Sequence, residues 1–172
     1  MKYVKIAFLI VFLLLFGVFF ANTAGSLTTD SPIQQPIAFS HQSHVEGLEI
    51  ECTVCHQSVM EQEFAGRPTL QVCKECHDEN TFTDSPEEAK LVEYIQSGQE
   101  LQWNRLYDVP SHVYYSHRRH TAVAQIECAE CHGDIGQASS PPERPLKLLT
   151  MDFCMDCHEQ KGVTTDCNTC HR

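Results

Sequence analysis

At 172 residues and a formal net charge of −11, the chain has room for one domain or two small ones. Its charge has the wrong sign to neutralise a nucleic-acid backbone, so no nucleic-acid partner is expected, and the acidic balance suits a basic protein partner or plain solvation. Ten cysteines and ten histidines exceed any structural need, so a covalent or metallic group has to account for them.

The N-terminus is a targeting element. Lys2 and Lys5 precede an apolar run from Ile6 to Ala21 that holds nothing more polar than Gly17. Extended to Leu27, the run reaches the ~20 residues that span a bilayer, and the two lysines leave the N-terminus in the cytoplasm. The same stretch serves as a slightly long signal peptide, with small residues at Ala21 and Ala24 but Asn22 where a second small residue is expected. Residues 1–24 therefore read as an anchor or a signal, an anchor covering residues 6–27. Either one delivers the rest to the periplasmic, exported side of the inner membrane. Residues 25–36 are rich in Ser, Thr, Pro and Gln and read as a linker.

A first unit is expected over 37–84. A spacer and connector over 85–111 opens with a helix signal: Ser85 as N-cap, Pro86 at the first helical position, Glu88 completing a capping box and Gly98 as the stop. Leu91, Val92 and Ile95 form its apolar stripe, predicting that it packs as a spacer between halves. A second unit covers 112–172. The two units are copies: Ser40 and Ser116, Ile50 and Ile126, and His56 and His132 are each 76 positions apart. Further on, TLQVCKECH at 69–77 matches TMDFCMDCH at 150–158, each preceded by an Arg-Pro pair, but now 81 positions apart. A short insertion around Ser139 to Glu143 accounts for the difference.

All ten cysteines fall into Cys-x-x-Cys-His pentads: Cys52/Cys55/His56, Cys73/Cys76/His77, Cys128/Cys131/His132, Cys154/Cys157/His158 and Cys167/Cys170/His171. Positions i, i+3 and i+4 of a helical turn share a face, so two thiols meet the vinyl groups of a haem while the histidine reaches its iron. Zinc ribbons and disulfide frameworks also use paired cysteines, but neither predicts a histidine after every second one. Five covalently attached haem c groups follow, two on the first unit and three on the second.

Five histidines remain, namely His41, His44, His112, His117 and His120. That is one spare per haem, and bis-histidine ligation of all five irons would give low-spin, comparatively low-potential centres. His41, His44, His117 and His120 repeat in register as two His-x-x-His pairs, whereas His112 has no counterpart in the first unit. Methionine could replace one ligand, and Met60, Met151 and Met155 lie near pentads, but Met151 and Met155 match Leu70 and Lys74 of the other copy. Phe39, Tyr114 and Tyr115 flank the pairs and are expected on haem faces. Elsewhere periodicity is poor. The expected fold is mainly irregular with short α-helices, a haem-packed, duplicated two-haem unit plus one extra haem behind an N-terminal hydrophobic helix.

FSHQSH at 39–44 and YSHRRH at 115–120, each ahead of a pentad, resemble the small class III multihaem cytochromes c. The resemblance implies that His41 serves the haem on Cys52 and Cys55, and His117 the haem on Cys128 and Cys131. It sends His44 and His120 to other haems within their own halves. The run WNRLYDVPSHVYYSHRRH at 103–120, with CAECHG at 128–133 and LTMDFCMDCH at 149–158, is similar to a narrower group. These are the membrane-anchored pentahaem subunits of alternative complex III and related molybdoenzyme-like quinone oxidoreductase complexes. That likeness covers about 101–172 well and the first unit loosely. It implies a chain anchored by its N-terminal helix, partnered by other subunits of a membrane quinone oxidoreductase complex and by a periplasmic redox protein, with His112 as a ligand. A free periplasmic carrier, or a multihaem reductase with an open iron, are the alternatives. No nucleophile–base pair, phosphate loop or carboxylate dyad points to catalysis of its own.

Overall fold

The computed structural model describes residues 12, 13, 16, 31–78 and 80–171. The chain divides into two compact units, Met1–Pro32 and Ile33–Arg172. In the first, Phe12, Leu13 and Phe16 are helical with exposed side chains, and the rings of Phe12 and Phe16 stack at 5.9 Å. The rest of the expected anchor or signal lies outside the described residues. Among those described, no helix is long and apolar enough to cross a membrane.

The second unit is helix and coil, with no strand among its described residues beyond an isolated bridge between Val113 and His171. Its α-helices are α1 (His41–Val45), α2 (Cys52–Cys55), α3 (Leu70–Cys73), α4 (Pro86–Ser97), α5 (Cys128–His132), α6 (Met151–Gln160) and α7 (Cys167–Cys170). A π-helical turn, Arg119–Val123, and a 3-10 turn, Ile135–Gln137, complete the set. Most are single turns, because each pentad needs only one. The end of the expected linker is tied down: Ile33 N–H donates to Glu143 O at 2.9 Å, and Asn104 N–H to Gln35 Oε1 at 2.9 Å.

Helix α4 carries the signals read from sequence, with Ser85 Oγ accepting from Glu87 N–H at the start and Gly98 in the left-handed conformation (φ 67°) at the end. Glu88 departs from the capping box. Instead of turning to the cap residue, its carboxylate reaches past it to accept from Phe82 N–H at 3.0 Å, Thr83 N–H at 2.8 Å and the Thr83 hydroxyl. These donors lie in a tight polar loop that a carboxylate at the helix N-terminus satisfies three at a time. The apolar stripe of α4 packs on the first copy: Leu91 and Ile95 join Ile37, Leu70 and Leu101 in one buried cluster, lined by Phe39, Cys73, Tyr94 and Trp103.

The two copies have the same backbone. Glu49 and Gln125, 76 positions apart, are the only non-glycine residues with positive φ among those described, both at 54°. Ile50 N–H donates to His44 O at 3.1 Å, and Ile126 N–H to His120 O at 3.0 Å. The copies also clasp each other symmetrically. Gln42 N–H donates to Ala138 O and its counterpart Arg118 N–H donates to Gln62 O, each at 3.0 Å. At Gly136 a Cβ would sit 3.2 Å from Val45 Cγ1, so α1 packs closely on this glycine and a larger residue would press on Val45. The reciprocal pattern is that of a two-fold interface built within one chain.

Candidate haem-binding sites

Every pentad forms one helical turn. The backbone N–H of His56, His77 and His171 donates to the carbonyl of the first cysteine of its pentad at 2.9, 2.8 and 2.9 Å, while His132 and His158 lie within α5 and α6. None of the ten cysteines is in a disulfide, and all are partly or fully exposed. Burial pushes Cys55, Cys73, Cys128, Cys131 and Cys154 up from the ordinary thiol value, with neighbouring thiols adding to the effect.

Four pentad histidines, His77, His132, His158 and His171, each lie ring to ring with a different spare histidine. The rings of His44 and His77 lie 6.2 Å apart, those of His117 and His132 6.4 Å, and those of His120 and His158 6.2 Å. An ion held from opposite sides by two imidazoles at ~2.0–2.1 Å separates the ring centres by roughly 6–6.5 Å, so these pairs fit a six-coordinate haem iron. The His117 and His132 rings are 7° from parallel, whereas those of His44 and His77 tilt by 49°. His41 is lowered to about 4 by burial first and then by His56, the histidine with the largest influence on it. His112 stacks on His171 at 5.5 Å, shorter than that span, because the Val113–His171 bridge and the Tyr114 N–H bond to Cys170 O (2.7 Å) draw the two backbones together.

The other ring nitrogen is fixed in most cases. Nδ1 of His44 lies 2.9 Å from Ser40 O, that of His120 2.8 Å from Ser116 O, and that of His117 3.0 Å from Glu63 O. Nδ1 of His56 and of His158 similarly face Gly66 O at 3.2 Å and Thr164 O at 3.1 Å. A carbonyl only accepts, so each of these Nδ1 atoms carries the hydrogen and leaves the Nε2 lone pair free for iron. Burial also lowers His117 and His132, which favours the neutral, ligating form. His41 Nδ1 and His77 Nδ1 are buried without a hydrogen-bond partner.

Phe39 and Tyr115, equivalent in the two copies, wedge between the histidines of each pair. Phe39 meets His41 edge-on at 5.0 Å and lies over His44 at 4.4 Å; Tyr115 does the same to His117 at 5.0 Å and His120 at 4.8 Å. These rings therefore set the histidine planes. Tyr114 is exposed. Tyr107 packs edge-on against His132 at 4.5 Å while its hydroxyl accepts from Leu146 N–H, a role that no spacing in the sequence signals.

Electrostatic influence between thiols of different pentads links the attachment sites in a line. Cys76 acts on Cys55 and Cys55 on Cys73, Cys52 lies within hydrogen-bond reach of Cys128, Cys154 and Cys157 act on Cys131, and Cys170 acts on Cys154. The Cys52–Cys128 contact joins equivalent cysteines across the clasp.

Two stretches, 37–94 and 113–172, match the model of the family described as cytochrome c7 and related cytochrome c. The chain belongs to the cytochrome c7 family. It is thus a multihaem cytochrome c with covalently bound haem, an electron-transfer protein rather than a catalytic one. The two matches begin 76 positions apart, the offset of the repeat. The chain is also 34% identical over 158 residues to the menaquinone reductase, multihaem cytochrome c subunit, of Nitratidesulfovibrio vulgaris strain Hildenborough, covering 80% of this chain and 75% of that one.

Proposed function

We propose that this chain is an exported, pentahaem cytochrome c that relays electrons as a subunit of a quinone-linked respiratory complex. The observation that supports the haem count is the histidine arrangement: five in pentads, five spare, four of the spare ones ring to ring with a different pentad histidine and the fifth, His41, within the electrostatic influence of His56. The quinone link rests on the likeness to a menaquinone reductase subunit.

Haem c supplies a one-electron carrier whose potential is set by its axial ligands and surroundings. The residues do the rest. The cysteines would hold the haems covalently, and His56, His77, His132, His158 and His171 would each ligate one iron. His41, His44, His117, His120 and His112 would be the second ligands of those same irons, in that order. Irons held by two histidines each would suit a relay rather than substrate binding. The thiol contacts support an order of sites different from chain order: second, first, third, fourth, fifth. The junction between units then falls where Cys52 meets Cys128.

In this reading 37–84 and 112–172 are the haem-bearing units, with 85–111 joining them. Residues 6–27 act as the membrane anchor, holding the haems on the periplasmic side beside partner subunits. Solubilising membranes and purifying the chain tests the assignment. Retention of the intact N-terminus by mass, together with co-purifying quinone-binding subunits, is expected. A processed chain that purifies alone from the periplasm would make it a free carrier instead.

A further inference from the structure

A carboxylate separates the His77 site from the other four. Among the described residues, His77 alone of the ten histidines makes an ion-pair contact with an acidic group: its Nδ1 lies 3.3 Å from Glu88 Oε1. That contact is one of charge, outside hydrogen-bond geometry, whereas Nδ1 of His44, His56, His117, His120 and His158 is hydrogen-bonded to a backbone carbonyl. Glu88 is only 9% exposed, so its charge is poorly screened by solvent. It is held as a carboxylate by the Phe82 and Thr83 N–H groups and the Thr83 hydroxyl, and it sits in the first turn of α4, where the helix favours an anion. Phe82 covers the site from outside, with its ring 5.8 Å from that of His77.

We propose that Glu88 is a positioning residue that makes the His77 imidazole a stronger donor and so lowers the potential of the haem on Cys73 and Cys76. A negative charge beside Nδ1 favours the hydrogen on that nitrogen and raises the electron density at Nε2. The added density stabilises ferric over ferrous iron, and the nearby negative charge acts in the same direction. A carbonyl dipole, as at His158, does this more weakly than a full charge. The two equivalent sites, His77 and His158, would therefore differ in potential although both are paired with a histidine. The inference rests on the reading of His77 as an axial ligand.

The test is a spectroelectrochemical titration of the five-haem protein with and without Glu88→Gln. The component belonging to His77 is assigned by His44→Met, since exchanging its distal ligand raises that component. In Glu88→Gln the same component rises by a tenfold change in its oxidation equilibrium, about 59 mV for one electron, and the others hold. Glu87→Gln removes an equal charge one residue away, from a side chain that faces Ala38 N–H and Lys90. It moves that component less than threefold. An unmoved component in Glu88→Gln, or equal shifts in both variants, overturns the proposal. Should Glu88→Gln not take up five haems, Glu88→Asp keeps the charge but draws it back from His77; a smaller rise is expected, and no rise overturns the proposal. Failure of the parent reading looks different: the unaltered protein would then lack a haem or carry a high-spin iron at this site.

Discussion

The two copies share a backbone but not a core. Every buried apolar residue among those described, Ile37, Val59, Leu70, Leu91, Val92, Ile95 and Leu101, lies in the first copy or in the segment that follows it. From 112 to 171 no side chain is buried, and Leu146, Leu148, Met151 and Val163 are exposed. The half with three pentads is thus the half in which the polypeptide encloses least. A chain this small needs staples, and the second copy relies on its covalent groups where the first, with α4 laid against it, has an apolar cluster as well.

The contrast is broken most directly by withholding haem. In the chain produced without attachment, limited proteolysis is expected to cut throughout 112–171 first, while 33–103 resists longer. Equal sensitivity of the two halves would mean that the Leu91 cluster contributes nothing on its own. Next in size is His112→Ala. One iron in five should pass from low to high spin, with four unchanged, in the optical and spin-resonance spectra of the oxidised protein. An unaltered spectrum would return His112 to an ordinary surface residue stacked on His171.

The halves should also answer differently to truncation. Leu91→Ala, at a site 6% exposed, is expected to cost about 2–5 kcal/mol in denaturant unfolding of the haem-loaded protein. Leu148→Ala, at a site 70% exposed, should stay within about 0.5 kcal/mol. Smallest is a cap difference. Thr150 Oγ1 accepts from Phe153 N–H at 3.2 Å, whereas the equivalent Thr69 makes no side-chain cap bond. Thr150→Ala should therefore cost about 1 kcal/mol and Thr69→Ala close to nothing.

Much of the site was legible because pentad spacing is local chemistry: i, i+3 and i+4 on one turn need no tertiary information. The duplication was legible for the same reason, and the spare histidines could be counted. What spacing does not carry is the partner of each Nδ1. Gly66, Glu63 and Thr164 contribute only carbonyls, which any residue has, so nothing in the sequence marks them. Glu88 was visible but in another role, since three residues after Ser85 a glutamate reads as half of a capping box. Its actual direction, back to Phe82 and Thr83 and onto His77, depends on how the 78–84 loop folds. Tyr107 and the Cys52–Cys128 contact likewise exist only once the two copies have clasped. Phe39 and Tyr115 were picked out for their rings, but those rings set the histidine planes.

The central claim is that ten histidines pair off across five irons. Spin quantitation of the fully oxidised, purified protein by electron paramagnetic resonance tests it most directly. The account predicts low-spin ferric signals summing to five irons per chain, with no high-spin signal. A high-spin signal amounting to one iron or more per chain would contradict it.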